Sequence, residues 1–250
     1  MEPDAALMHE SFATAWERLY AAAGGRFERR ADLIALSCAR LPVPQANGAW
    51  VVEDSEAAAA ALPQAIEEAE ALGVPAWVQT RPGHERTRRV AAELGLTHVE
   101  LVPAMVIRPD ELAPSESTLE IDVIAEDDVE RTVAILATAF EAPHDLFDWF
   151  GRLTWSLEGA SWYVGRVGDE IVSTAVGYTY GPATGVFNVA TPPEHRGRGY
   201  GAALTARCVQ DGFDAGAELA YLQSSELGHG VYRRLGFRDV DEYVLLARPV

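Results

Sequence analysis

FNVATPPEHRGRGYGAAL, Phe187 to Leu204, is the stretch on which the reading of this chain turns. Strand-forming residues run from Val186 to Thr191 and stop at Pro192 and Pro193, which cannot donate ladder hydrogen bonds. Gly197, Gly199 and Gly201 then alternate with Arg198 and Tyr200 behind Arg196, and the helix-forming run AALTARCVQ follows. Glycines have no Cβ to hold a guest away from backbone N–H groups, and a helix N-terminus adds about half a positive charge with unpaired donors. The pattern predicts an anion cradle whose natural guest is a pyrophosphate. Gly-rich turns also precede helices for structural reasons alone. Gly197, Gly199 and Ala202 fit the dinucleotide fingerprint G-x-G-x-x-G/A too, but too little chain follows for the rest of a doubly wound sheet. Glu218 also opens the next strand, where the fingerprint wants an acidic residue at its end. A nucleotide P-loop is excluded because the chain has no lysine.

Outward from the cradle, three strands lead into it as a meander: Trp162 to Val167, Ile171 to Tyr180 and Val186 to Thr191, with turns at VGDE and GPATG. Behind it come a helix from Tyr200 to Ala215, a strand from Glu218 to Gln223, a short helix ending at Leu235-Gly236-Phe237 and a last strand, Val240 to Ala247. Before the meander lie a strand from Leu119 to Ile124, a helix capped by Asp127 or Asp128 with Val129, Val133, Leu136 and Phe140 on its inner face, and a second helix at DLFDWFGRL. The polar segment RPDELAPSEST, with Pro109 and Pro114, is the expected boundary between domains at 1–110 and 119–250.

The first domain reads as a helix from Met8 to Ala23, strands at Leu33 to Ser37 and Ala49 to Val52, a helix capped by Ser55 that carries Pro63, a strand from Pro75 to Thr80, a helix from His84 to Leu94 and a strand from His98 to Ile107. The two halves end alike. AWVQTRPGHERTRRVAAELGLTHVELVPAMVIRP and AYLQSSELGHGVYRRLGFRDVDEYVLLARP each give strand, helix, Leu-Gly-apolar and strand, which suggests an internal repeat. Where the second copy has ATPPEHRGRGYG, the first has VEDSEAAAA, with Glu53, Asp54 and Glu56 at the helix start. Those carboxylates repel phosphate and no glycine lets it approach, so the first half is expected to be a degenerate copy that packs against or shapes the site.

With 250 residues, 48% of them apolar, and a formal charge of −18, the chain is an ordinary globular protein whose surface repels nucleic acid and anionic lipid. Neither partner is expected. No run approaches a membrane span, and MEPDAALMHE lacks the apolar core of a signal peptide, so a cytoplasmic location is expected. Two cysteines, Cys38 and Cys208, make no disulfide framework, and there is neither a metal-ligand cluster nor a G-x-S-x-G elbow.

Residues 119–250 resemble the GNAT acyltransferase superfamily. Arg196, Gly199 and Gly201 fit its R/Q-x-x-G-x-G/A motif, and VYRRLGF, Val231 to Phe237, fits its second signature with Tyr232 in place. The resemblance implies an α/β fold of the α+β kind: a GNAT-like mixed, mostly antiparallel sheet flanked by helices, preceded by a degenerate GNAT-like half. It implies that the sheet splays after Val186 to Thr191 so that the pantetheine arm of acetyl-CoA lies between two strands. The cradle from Arg196 through Gly197, Arg198, Gly199, Tyr200 and Gly201 to Ala202 would then hold the pyrophosphate. An asparagine that contacts the cofactor in many relatives is Ser225 here.

Acetyl transfer from a thioester to an amine builds charge on the carbonyl oxygen and then on the leaving sulfur. Free N–H groups near Val189, Ala190 and Thr191 suit the first, and Tyr232 suits the second as general acid. Some relatives carry a glutamate base on the strand entering the cradle; here that region is Gly185-Val186-Phe187-Asn188. Glu141 is the base candidate, with Asp145, Asp148 and Glu226 behind it. The expected activity is acetyl-CoA-dependent N-acetylation of a small-molecule amine, with Phe147, Trp149, Phe150, Trp155 and Tyr180 as pocket candidates and a homodimer allowed. The alternative is an acyl-CoA sensor or partner module without turnover, which the missing strand carboxylate favours.

Overall fold

The computed structural model describes residues 2–30, 32–115, 117–141 and 143–249; the outer ends of the two expected domains, Met1 and Val250, and Glu116 of the linker lie outside them. In chain order the elements are α1 (Pro3–Ala23), β1 (Arg26–Arg30), β2 (Leu33–Ser37), β3 (Gly48–Val51), α2 (Glu56–Glu70), β4 (Trp77–Thr80), α3 (Glu85–Glu93), β5 (His98–Ile107), β6 (Glu120–Val123), α4 (Val129–Ala139), α5 (His144–Trp155), β7 (Ala160–Val167), β8 (Glu170–Tyr180), β9 (Ala183–Ala190), α6 (Tyr200–Asp214), β10 (Leu219–Gln223), α7 (Glu226–Leu235) and β11 (Arg238–Ala247). The fold is mixed α/β, with mostly antiparallel strands flanked by helices, as expected. α1 begins five residues before Met8, because a proline suits a helix's first turn and Ala5 extends the apolar face. β1, RFERR, escaped the sequence reading because its charges mask a strand that pairs with β2.

Two compact units form, and each draws on both ends of the chain: one contains Met1–Ala15 and Ala104–Val240, the other Trp16–Pro103 and Asp241–Val250. In the first, the end of β5 pairs antiparallel with β10, β10 runs parallel to β9, and β9, β8, β7 and β6 follow antiparallel. One face packs on α6 through Val186, Leu204, Cys208, Val209 and Leu222; the other packs on α4 through Val133, Leu136, Trp162 and Val176. Gly212 on α6 lies against Thr184, where a Cβ would come within 2.4 Å of Cγ2, so the helix sits directly on the strand. Asp4, in the first turn of α1, accepts hydrogen bonds from Arg108 and Arg238, and its carboxyl is held below the ordinary carboxylate range chiefly by Arg108.

In the second unit β1, β2, β3, β4 and β11 are neighbours in that order, antiparallel except for β3 beside β4. α2 and α3 cover a core of Leu33, Leu62, Ile66, Val78 and Leu96, to which β11 adds Val244 and Leu246. The same succession therefore occurs twice: three antiparallel strands, a crossover helix, a parallel strand, a short helix and a last strand.

Candidate active site

Hydrogen-bonded pairing between β9 and β10 covers Ala183↔Leu219, Thr184↔Ala220 and Gly185↔Tyr221 and goes no further. The strands part there, one residue before Val186 and earlier than the sequence reading expected. Beyond that point β9 pairs only with β8, and between Val176↔Phe187 and Thr174↔Ala190 it carries one residue more than its partner. The extra residue makes a bulge, and Asn188 takes up its bend in the left-handed region at φ 51°. A bulge turns backbone donors out of the ladder, and among the described residues the strand end at Val189, Ala190 and Thr191 has no paired neighbour on the β10 side.

That end is pinned from two directions. The buried Ser173 hydroxyl donates to the Ala190 carbonyl at 2.8 Å and shares a hydrogen bond with Thr191 Oγ1 at 2.7 Å. Arg196 Nε donates to the Thr191 carbonyl at 2.9 Å, which folds the glycine turn back toward the strand. Gly197 and Gly199 then take φ 76° and 79°, a conformation costly for any residue with a side chain, while the space around them is open. Gly199 is the N-cap of α6 without any side-chain cap, and among the described residues the N–H groups of Gly199, Tyr200, Gly201 and Ala202 have no acceptor. Arg196 and Arg198 are exposed on either side of Gly197. The Tyr200 ring is buried in the core, so within the cradle it can offer a ligand only its N–H. Gly201 brings α6 to the bulge, with a Cβ there 3.5 Å from Val189 Cγ1.

Tyr232 stands on α7, and its ring packs with Val189 and Ala202 on the core that α6 covers. It lies edge-on to Phe237, with centroids 6.0 Å apart, and its hydroxyl has no hydrogen-bonding partner among the described residues. Burial, with the Cys208 thiol adding to it, pushes Tyr232 up to about 12, so the phenol keeps its proton at neutral pH. Ser225 is the N-cap of α7 and accepts from Gly228 N at 3.2 Å, so its oxygen is already engaged by the protein.

Glu141 is exposed in the turn after α4, in the left-handed region at φ 52°. Asp148 is paired with Arg152 at 2.9 Å, Asp145 accepts from its neighbour's N–H, and Glu226 is exposed at the start of α7. His229 pairs with Asp239 at 2.7 Å. Phe140, Phe147 and Phe150 form a chain of ring contacts along the α4–α5 turn, and Phe147 and Trp155 border the core under α4. Tyr180 stands exposed at the far end of β8. Sequence reasoning missed Ser173, His195, whose Nδ1 is buried with no partner among the described residues, and the aromatic group of Phe12, Phe187 and Tyr221. Only the fold joins residues so far apart in the chain.

The matching loop of the first half is built differently. Asp54 accepts from Arg86 N at 2.9 Å and from Thr87 N and Oγ1 at 2.8 and 2.9 Å, and thereby caps α3. Burial opposes its charge, but these donors hold the carboxyl below the ordinary range. Among the described residues no group of three or more His, Cys, Asp or Glu is placed to hold a metal, and no helix is long and apolar enough to cross a membrane.

Residues 120–240 match the family model of an acetyltransferase (GNAT) domain. No curated protein matches. Among solved structures, a GCN5-related N-acetyltransferase of Kribbella flavida is 22% identical, with 95% of each chain covered and a TM-score of 0.69. One from Sphaerobacter thermophilus is 19% identical over 87% of this chain and 81% of its own, at a TM-score of 0.64. A functionally unknown conserved protein of Staphylococcus epidermidis is 12% identical over 91% of this chain and 96% of its own, at 0.67. At these identities the likeness is one of fold, and it extends over nearly the whole chain.

Proposed function

We propose that this chain, whose residues 120–240 match the family model of a GNAT acetyltransferase domain, moves the acetyl group of acetyl-CoA to the amine of a small molecule by direct transfer in a ternary complex. The observation that carries the reading is the gap between β9 and β10 beyond Gly185 and Tyr221, flanked by the bulge at Asn188 and facing the open turn at Gly197 and Gly199. The residues fit the donor. N–H groups of the first turn of α6 and the exposed Arg196 and Arg198 would hold the pyrophosphate, and the extended arm would lie where β9 and β10 are no longer paired. Acetyl-CoA would supply the activated thioester.

The chain's own groups would then act in turn. N–H groups at the end of β9 would receive charge on the carbonyl oxygen, an effect often worth about a hundred-fold or more per donor. Tyr232, protonated at neutral pH, would hand its proton to the leaving sulfur. Glu141 is the proposed base, and because its carboxylate stands exposed, the proton would reach it through water. Ser225, already capping α7, would serve the donor by fixing that helix. The first half is proposed as a degenerate copy: α2, which stands where α6 does, is capped by the Ser55 hydroxyl, and Asp54 of the same loop turns its carboxylate to the start of α3. A cytoplasmic monomer or homodimer fits the reading.

A second reading, an acyl-CoA sensor or partner module without turnover, is favoured by the absence of a carboxylate on β9. Thermal unfolding with acetyl-CoA, against CoA, ATP and NAD, tests what the two share. Ligand at about 100 times its dissociation constant adds about 2.7 kcal/mol, which raises the midpoint by roughly 5 to 10 °C in a chain of this size. A rise with acetyl-CoA and CoA alone supports both readings, and release of free thiol in the presence of amines then separates them. No rise, or one with NAD, rejects both.

A further inference from the structure

The two faces of the gap beside β9 are chemically unlike. Val186, Leu222 and the Tyr232 ring belong to the face under α6, whereas Phe187 points to the face under α4. Phe187 is the first residue of β9 on that face past the parting of the strands, and its ring folds back along its own strand. A Cβ on Gly185 would lie 2.4 Å from Phe187 Cε2 and 2.8 Å from Tyr221 Cζ, so position 185 is glycine because two rings meet over it. Phe12 of α1 stacks on Phe187 at 6.4 Å and 24°, and Tyr221 meets both rings edge-on. Phe12 is 4% exposed and Tyr221 1%, while Phe187 is half-buried, so Phe187 is the ring of this group that reaches the surface.

We propose that the acceptor is a primary amine carried on an aromatic body and that Phe187 selects it; this rests on the acetyl-transfer reading above. With Tyr232 and the leaving sulfur on the α6 face, the amine arrives from the other face and meets Phe187. The nitrogen forms its bond to the carbonyl carbon as the C–S bond breaks; it gives up one proton and the sulfur takes one, leaving an amide and a free thiol. An aromatic body stacks on the half-buried ring, and an ammonium group is drawn by ring faces and by the chain's charge of −18 before it loses its proton. A polyamine or amino alcohol shares the pull on its ammonium group but has no aromatic body to stack on this floor.

Phenethylamine, spermidine and ethanolamine, each with saturating acetyl-CoA, give the test by thiol release. The expected result is a kcat/KM for phenethylamine at least ten-fold above the other two. Phe187→Ala and the better-packed Phe187→Leu should both collapse that ratio through KM. Both should also weaken phenethylamine binding, titrated calorimetrically into the CoA-loaded protein, and leave the thermal shift caused by acetyl-CoA in place. Equal or better use of spermidine or ethanolamine, or a ratio that survives both substitutions, overturns the proposal alone. Failure of acetyl-CoA to shift the midpoint of the unsubstituted protein overturns the acetyl-transfer reading, and the proposal with it.

Discussion

Tyr232 owes its setting to the glycine one turn before it. A Cβ on Gly228 would lie 2.8 Å from Tyr232 Cε2, so the ring can lie back over its own helix only because position 228 is bare. Burial there raises its pKa, which makes the phenol a weaker acid but keeps it loaded with a proton across the working range. Removing only the oxygen isolates the role. Tyr232→Phe should lower turnover by about 10²- to 10⁴-fold and leave the acetyl-CoA thermal shift unchanged. In the unsubstituted protein, loss of the Tyr232 proton should not reduce activity until the pH nears 12. Undiminished turnover in Tyr232→Phe removes this hydroxyl from the mechanism. Thiol release is a clean readout, because Cys38 and Cys208 are both buried and burial pushes the Cys208 thiol up. At this scale the glycines and Tyr232 were legible from their motifs, while Ser225 as a cap, Tyr200 as a core ring and Phe187 as a floor were not. Each of those depends on the direction a side chain takes, which spacing alone does not fix.

Between elements, one carboxylate shows what separates the two halves. α6 begins with a left-handed glycine and open donors, whereas its counterpart α2 is capped by the Ser55 hydroxyl, and Asp54 spends its carboxylate on the N–H groups of Arg86 and Thr87 and ties the loop before α2 to the start of α3. Asp54→Ala leaves those donors unmet and should cost about 1 to 2 kcal/mol, read as a lower urea midpoint at pH 7. The sign of its pH dependence follows from the lowered folded pKa. The contribution is fully present above the unfolded carboxylate value near 4 and fades as the pH falls through the folded one. The gap in urea midpoint between Asp54→Ala and the unsubstituted protein should therefore narrow below about pH 4. A gap that is constant down to pH 3 means that Asp54 acts through packing and not through its charge. The sequence showed the acidic residues at this loop and their hostility to phosphate, but not their partner, because Arg86 and Thr87 lie on another helix. Nearly every helix and strand was legible from periodicity, turn glycines and prolines. β1 was not, since an edge strand protects itself with the same charges that hide it from a hydrophobic pattern.

Across the whole molecule, the linker at RPDELAPSEST looked like a place to cut, and the packing of each unit says otherwise. The unit that holds α6 and α7 takes its strand next to β10 from residues before the linker, with Met105 and Ile107 fully buried in the α6 core. It also takes Phe12 and the Asp4 pairs to Arg108 and Arg238 from α1. The other unit takes β11 from the end of the chain, pairing Val244 to Ala247 with Thr80 to Trp77 and burying Val244 and Leu246. No local pattern announces such an exchange, because the last strand of each half alternates as any strand would, whichever neighbour it finds. A fragment of residues 119–250 would expose the edge of β10 and the core that Met105 and Ile107 fill, a loss of several kcal/mol for buried side chains of that size. We therefore expect residues 119–250 alone to be aggregated or cooperatively unfolded by calorimetry and to show no thermal shift with acetyl-CoA. Residues 1–118 and 119–250 produced together should recover both a single soluble complex and the shift. A fragment 119–250 that melts sharply and responds to acetyl-CoA would mean that the early strand and α1 are accessories, and that the glycine turn, the bulge and Tyr232 suffice for the donor site.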